Sequence, residues 1–154
     1  MEFIIGNKTQ LEACASCLSN CVLGERYFYD RKHTVEFLKE GFENGEIYLC
    51  VNNDTVLGFM RIDLKGTFAK FPLLRVIAVN EKHRNQGIGK AMIEFYELVG
   101  FEAANKVFLL VSEFNTDAKR LYERLGYAEV GKIPDLYQKD TAEYFMMKKK
   151  EERG

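Results

Sequence analysis

The spacing of apolar positions along this 154-residue chain changes several times, and each change marks an element. Residues 2–6, around Phe3-Ile4-Ile5, predict a short strand. From Leu11 onward, apolar and small residues return at Cys14, Ala15, Leu18 and Val22, a helical spacing that predicts one helix over 9–21. A second helix is predicted over 31–43, ending near Gly41 and Gly45. The pattern then turns to strands over 46–52 and 56–64, joined by Asn53-Asp54, a weaker hairpin signal than Asn-Gly. Leu73 to Val79 reads as the central strand. Ile88, Ala91, Met92, Phe95, Leu98 and Val99 repeat at helical spacing, which predicts a helix of about four turns with one face on a sheet. A strand over 107–111 precedes a shorter helix carrying Ala118, Leu121, Tyr122 and Leu125, with Asn115 placed to cap it and Gly126 to stop it. Residues 127–133 and 142–148 predict a final antiparallel pair. The order is β, α, α, β, β, β, α, β, α, β, β.

Composition narrows the class without naming a chemistry. With 47% hydrophobic and 29% charged residues, the chain reads as one compact domain over residues 1–148 and a charged tail over 149–154. A net charge of −1 argues against a nucleic-acid partner, which selects a marked basic excess. No apolar run is long enough to span a bilayer, and the Met1-Glu2-Phe3-Ile4-Ile5 start lacks a secretion pattern, so a cytoplasmic protein without a membrane partner is expected. Cys14-x-x-Cys17-x-x-x-Cys21, with Cys50 and His33 elsewhere, lacks the paired knuckles of a zinc site. These cysteines fall on a helical apolar pattern and read as small buried hydrophobes in a reducing compartment, with no metal.

Candidate chemistry concentrates between the central strand and the four-turn helix, at Arg84-Asn85-Gln86-Gly87-Ile88-Gly89-Lys90-Ala91. Glycines at a helix start let backbone N–H groups approach a phosphate, and the helix dipole adds roughly half a positive charge there. A P-loop needs a glycine five residues before its Gly-Lys pair and Ser or Thr after it; Arg84 and Ala91 stand at those positions. A dinucleotide fingerprint needs a third glycine where Met92 stands. Lys82, His83, Arg84 and Lys90 gather positive charge around the loop, as Lys119 and Arg120 do on the later helix. A phosphorylated cofactor that is neither a nucleoside triphosphate bound at a P-loop nor a dinucleotide is the expected guest.

Arg84-x-x-Gly87-x-Gly89, followed by Asn115-x-x-Ala118-x-x-x-Tyr122-x-x-x-Gly126-Tyr127, resembles the coenzyme-A-binding pattern of the GNAT acyltransferase superfamily, well over residues 73–148 and by element order before them. The resemblance implies an α/β (α+β) fold: a mixed central sheet of about seven strands whose central parallel strands splay, flanked by about four helices. It implies an N-acetyltransferase that uses acetyl-CoA. Arg84, Asn85, Gln86, Gly87, Ile88, Gly89 and Lys90 would then hold its phosphates, and the main chain of Ile77, Ala78 and Val79 its pantetheine arm. The Val79 N–H would face the thioester oxygen, and Asn115 would bond pantetheine or cap its helix. Tyr122 would serve as leaving-group acid, a transfer uphill by about 2 kcal/mol from reference values near 10 for tyrosine and 8.5 for a thiol.

The family's catalytic carboxylates on the fourth or fifth strand have Leu73 and Leu110 as their counterparts here, so no direct base carries over. Glu113 is a water-mediated alternative, or a solvated charge. Lack of a base favours an acceptor that loses its proton readily, such as an α-amine near pKa 8 rather than a lysine near 10.4. A protein or peptide α-amine is therefore the leading acceptor; a polyamine, amino acid or aminoglycoside comes second, and a noncatalytic acyl-CoA-binding module is the competing class. Tyr27 and Tyr29, beside Arg26 and Phe28, and Tyr137 in Asp135-Leu136-Tyr137 are the candidate acceptor contacts. The protein is expected as a monomer or as a homodimer through Tyr144-Phe145-Met146-Met147.

Overall fold

Asn53 and Asp54 both adopt positive φ, +48° and +67°, and close a two-residue hairpin between β2 (Ile47–Asn52) and β3 (Thr55–Thr67). A second tight turn has no such signal. Phe68 and Ala69 sit at φ +55° and +56° and return β3 into β4 (Phe71–Val79), with Lys70 N–H bonded to Thr67 O at 3.1 Å. A phenylalanine and an alanine in the left-handed region carry no turn signature, so these strands run beyond the predicted 56–64 and 73–79.

The computed structural model describes residues 1–19 and 21–152. Before these strands come β1 (Glu2–Ile5), α1 (Leu11–Ser19), α2 (Val22–Tyr27) and α3 (Arg31–Glu43). After them come α4 (Ile88–Ala103), β5 (Lys106–Ser112), α5 (Thr116–Arg124), β6 (Ala128–Ile133) and β7 (Glu143–Lys149). The mixed seven-stranded sheet has the order β1-β2-β3-β4-β5-β7-β6, with β4 and β5 parallel and β5 antiparallel to β7. The β4–β5 ladder comprises Leu73↔Phe108 and Leu74↔Leu109 alone.

The chain divides into two compact units, Met1–Ile62 with Val76–Phe95, and Asp63–Arg75 with Tyr96–Gly154. In the first, Cys14, Cys17, Leu18, Leu38, Ile47, Leu49 and Phe59 form a core at 0–1% exposure. Cys14 and Cys17 are thus buried apolar residues, as their spacing implied, whereas Cys21 is half-buried. Arg61, fully buried, is held by Glu46 Oε2 at 2.7 Å and Phe37 O at 3.0 Å. In the second unit, β5 and β7 carry the core through Val107, Leu109 and Met146.

The helix predicted over 9–21 is α1 over Leu11–Ser19, entered from a 3-10 turn at Lys8–Gln10, and α2 follows where no helix was predicted, which makes five α-helices among the described residues rather than about four; within the predicted span Asn20 lies outside the described residues. Cys21 is extended (φ −125°, ψ 160°), and its Sγ accepts the Gly24 N–H at 3.2 Å, so it caps α2 instead of continuing α1. The chain folds back so closely that a Cβ on Gly24 would lie 1.6 Å from Leu18 O. Gly41 lies inside α3, where a Cβ would stand 2.7 Å from Ile47 Cδ1, while Gly45 at φ +67° follows the helix end. The charged tail begins later than predicted: Lys149 pairs with Lys106 in the sheet, and Lys150 N–H bonds Asn105 O at 2.9 Å. Arg153 and Gly154 lie outside the described residues.

Candidate active site

In the first unit, β4 ends at Ile77, Ala78 and Val79, of which Ala78 is 5% exposed and the other two half-buried. Asn80 N–H bonds Leu57 O at 2.8 Å, and the Asn80 side chain accepts Lys82 N–H at 3.0 Å to start a single 3-10 turn over Glu81–His83. Arg84 is extended, Asn85 takes φ +62° and Gly87 φ +79°. The first helical bond of α4, Ala91 N–H to Gly87 O, spans 3.1 Å. Nothing stands within 4 Å of a Cβ built on Gly87, and only Val79 Cγ2, at 4.0 Å, approaches one on Gly89. The first turn of α4 carries no acidic residue.

The loop therefore has the open approach, the positive helix end and the absence of competing carboxylates that a phosphate requires. Arg84 supplies an independent observation. Its Nη2 is buried and has no hydrogen-bond partner among the described residues. A guanidinium N–H left without an acceptor is costly, so an anionic group fits this position. Its charge also reaches Cys17, whose thiol is pushed up to about 12 by burial and by Cys21, against the opposing pull of Arg84.

In the second unit, Asn115 N–H bonds Ser112 O at 2.9 Å and Asn115 O receives Lys119 N–H at 3.2 Å. Asn115 occupies the cap position of α5, yet its side chain makes no capping bond, so the capping role anticipated for its amide is not taken up. Three tyrosines are buried here. Tyr96 donates its hydroxyl to Phe108 O at 2.7 Å, and Tyr127 to Glu97 Oε2 at 3.2 Å. Tyr122, 6% exposed and edge-on to Tyr127 at 6.1 Å, gives its hydroxyl to no described residue. Burial alone pushes that hydroxyl up to about 12. Against a thiol near 8.5, full proton transfer becomes uphill by about 5 kcal/mol, more than double the value from reference constants.

The aromatic acceptor candidates do not form one wall within a unit. Tyr27 ends α2, Phe28 packs on Phe37 at 5.0 Å and enters the core, and Tyr29 is 79% exposed. All three belong to the first unit, and Tyr137 belongs to the second. Leu73 and Leu110 are half-buried strand residues, opposite Phe108 and Phe145. Glu113 is held: Oε1 accepts Ala142 N–H at 3.1 Å, and Oε2 lies 3.8 Å from Lys132 Nζ, at the edge of a depression of about 290 Å³ beside the 134–142 loop. Of Tyr144-Phe145-Met146-Met147, Met146 is fully buried and the other three are half-buried.

Sequence reasoning passed over Glu143 and Ser112. Glu143 is 2% exposed and Ser112 4%; they face each other across β5 and β7, and Ser112 Oγ donates to Glu143 Oε1 at 2.6 Å. A glutamate at the first position of a strand ordinarily reads as a solvated rim charge. Only pairing with Ser112 on one side and Ile133 on the other places it inside.

The profile of the Acetyltransferase (GNAT) family matches residues 18–127. No significant relative is found among curated protein sequences. Among solved structures, the fold resembles an aminoglycoside 6'-N-acetyltransferase complexed with coenzyme A (18% identity, 100% of this chain and 99% of that one, TM-score 0.78). It also resembles Ard1 from Thermoplasma volcanium (19%, 98% of each chain, 0.78) and a ribosomal-protein-alanine N-acetyltransferase from Brucella melitensis (16%, 97% and 99%, 0.76). The profile spans well over half of the chain and covers both the glycine loop and the Tyr122 helix, so this protein belongs to the GNAT family of acetyltransferases, whose acyl donor is acetyl-CoA.

Proposed function

We propose that this enzyme acetylates the α-amine of a protein or peptide, that a single acyltransferase domain runs from residue 1 through the end of β7 (Glu143–Lys149), and that it works in the cytoplasm. The observation that carries acyl transfer is the Tyr122 hydroxyl: on a residue 6% exposed, protonated at any physiological pH, and the one phenol of three buried tyrosines that bonds no described residue. A hydroxyl uncommitted to other residues is free to donate to a leaving sulfur.

Acetyl-CoA supplies the activated acetyl group. In the first unit, the N–H groups from Gly87 to Lys90, with Arg84, Asn85 and Gln86, bind its phosphates, and the main chain of Ile77, Ala78 and Val79 receives the pantetheine amides. The Val79 N–H stabilises negative charge on the acyl oxygen. In the second unit, Asn115 keeps a free side-chain amide for pantetheine, and Tyr122 donates a hydrogen bond to sulfur. With Tyr122 near 12, it stabilises a leaving group by hydrogen bonding and keeps its proton. Tyr27, Tyr29 and Tyr137 contact the acceptor.

The choice of an α-amine rests on Leu73 and Leu110 offering no carboxylate and on the lower pKa of such amines. The structural likeness to Ard1 and to a ribosomal-protein-alanine acetyltransferase is in keeping with it. The test is calorimetric binding of acetyl-CoA followed by thiol release against peptides, polyamines, amino acids and aminoglycosides. Turnover with peptides is expected. Turnover confined to small amines moves the acceptor to that class, and tight binding without thiol release on any amine refutes the transferase reading in favour of an acyl-CoA sensor.

A further inference from the structure

A hydrogen bond to a leaving sulfur acts only if its donor is aimed, because such bonds weaken steeply as the donor angle closes. The Tyr122 hydroxyl bonds no described residue, so nothing at its own tip aims it. Its direction follows from where the Tyr122 backbone stands and from what its ring leans on. Tyr122 is also the one buried residue of α5, a helix of nine residues. Lys119 ties the first half of that helix, to Glu129 Oε1 at 2.8 Å and over the Tyr144 ring at 3.9 Å. The second half, which carries Tyr122, is tied by the residues that follow it.

Tyr127 supplies both supports. Its backbone N–H bonds Tyr122 O at 3.0 Å, an acceptor shared with Leu125 N–H at 3.1 Å, and its ring stands edge-on to that of Tyr122 at 6.1 Å. Tyr127 is itself held from the far side. Its hydroxyl donates to Glu97 Oε2 at 3.2 Å, and the other Glu97 oxygen accepts from Lys148 Nζ at 2.7 Å. The Lys148 stem lies against the turn that ends α5: a Cβ on Gly126 would stand 3.3 Å from Lys148 Cε, and Lys148 Nζ lies 5.9 Å from the centre of the Tyr127 ring. The Glu97 and Lys148 side chains are 15% and 21% exposed, so solvent and salt screen their attraction less than that of a surface pair. Residues of α4 and β7 thus meet at the ring that supports Tyr122, all within the second unit.

Resting on the acetyl-transfer reading above, in which the Tyr122 hydroxyl bonds the leaving sulfur, we propose that Tyr127, Glu97 and Lys148 form a positioning clamp that aims that hydroxyl. Tyr127 fixes the Tyr122 backbone through its N–H and the tilt of the Tyr122 ring through its own ring. Glu97 anchors the Tyr127 hydroxyl, and Lys148 holds Glu97 while bracing the turn at Gly126. The three are positioning residues: they act through Tyr122, and no proton passes among them during turnover.

Tyr127→Phe keeps the ring and the N–H and releases only the anchored hydroxyl. Glu97→Leu removes the anchor, and Glu97→Gln leaves an oxygen for Tyr127. Beyond any loss of stability, Tyr127→Phe and Glu97→Leu should lower kcat about five- to tenfold with KM and calorimetric affinity for acetyl-CoA unchanged, while Glu97→Gln should keep about half of wild-type kcat or more. In a Tyr122→Phe background the same substitutions should lower Tm as before yet take nothing further from kcat, because no hydroxyl remains to be aimed. A readout independent of turnover is NMR of protein labelled with 13C-tyrosine, in which the Tyr122 ring signal is the one lost in Tyr122→Phe. That signal should shift in Glu97→Leu and return toward its wild-type position in Glu97→Gln. Equal losses of kcat with and without the Tyr122 hydroxyl, or an unmoved Tyr122 signal, overturn the clamp and leave acetyl transfer intact. Wild-type kcat in Tyr122→Phe alone overturns the role of Tyr122, and the clamp's bearing on turnover with it. Wild-type protein that binds acetyl-CoA but releases no thiol with any amine overturns the acetyl-transfer reading itself.

Discussion

Replacing Tyr122 with phenylalanine separates a chemical role from a structural one, because its hydroxyl holds nothing in place. Tyr122→Phe keeps the ring, its 6.1 Å contact with Tyr127 and the burial of that face of α5. With no intramolecular hydrogen bond lost, stability should change by no more than about 0.5 kcal/mol, or roughly 2 °C in Tm. A hydrogen bond to a charged leaving group is worth about 1.5–3 kcal/mol, which converts to a loss of about 10- to 150-fold in turnover. The pH profile adds a second constraint. A phenol held near 12 stays protonated throughout the working range, so wild-type turnover should show no descending limb from Tyr122 below about pH 11. The assay is acetyl-CoA-dependent thiol release at saturating acceptor, with calorimetric acetyl-CoA affinity and thermal unfolding measured on the same samples. Tyr127→Phe is the contrasting variant: it breaks the bond to Glu97 and should cost stability first, about 1 kcal/mol. Unchanged turnover in Tyr122→Phe removes this residue from the mechanism, and a fall in Tm beyond about 5 °C shows that its hydroxyl was structural after all.

Gly89→Asp should abolish acetyl-CoA binding by calorimetry yet leave Tm unchanged or slightly raised, because there is room for the side chain and a carboxylate in the first turn of a helix stabilises it by about 0.3–1 kcal/mol; normal affinity would mean that the loop is not the phosphate site. Gly24→Ala should cost about 3 kcal/mol or more in urea unfolding, since its Cβ would occupy the position of Leu18 O, and a midpoint within error of wild type would refute the close crossing of α1 and α2. Cys17 makes stability fall with rising pH: above pH 9 the unfolded chain releases the thiol proton while the folded chain keeps it until about 12, a loss of about 4 kcal/mol across that window. Denaturant melts from pH 8 to 11 should show this slope in wild type and a shallower one in Cys17→Ala; equal slopes would exclude a buried thiol there.

The two sequence motifs were legible because they depend on local backbone chemistry. Gly87 needs φ +79°, and Gly89 opens the first turn of α4; both requirements are met within a few residues of chain. The strands over 46–52 and 107–111, the helix over 31–43 and the closing pair emerged from periodicity for the same reason. The break between α1 and α2 did not, because Cys21 as a cap and Gly24 as a crossing point acquire those roles only once Leu18 is in place. Nor did the turn at Phe68-Ala69, where two residues without turn preference are held at positive φ, with the Phe68 ring edge-on to Phe108 and Phe145 at 6.5 and 6.2 Å. In the candidate site, the lack of carboxylates at Leu73 and Leu110 could be read directly, and the burial of Glu143 against Ser112 could not.

By itself, the sequence determined the seven strands and their order along the chain, the glycine-led start of α4 and the family, because each is written in spacing that the backbone obeys locally. Tertiary structure decided which hydroxyls are satisfied and which are not, that Glu113 is held while Glu143 is enclosed, and that Phe28 turns into the core while Tyr29 stays outside. Burial and long-range pairing set those outcomes. The Ser112–Glu143 bond joins residues 31 positions apart, and the same glutamate that would be an ordinary solvated charge at a free strand end becomes a buried carboxylate only because β5 and β6 both pair with β7.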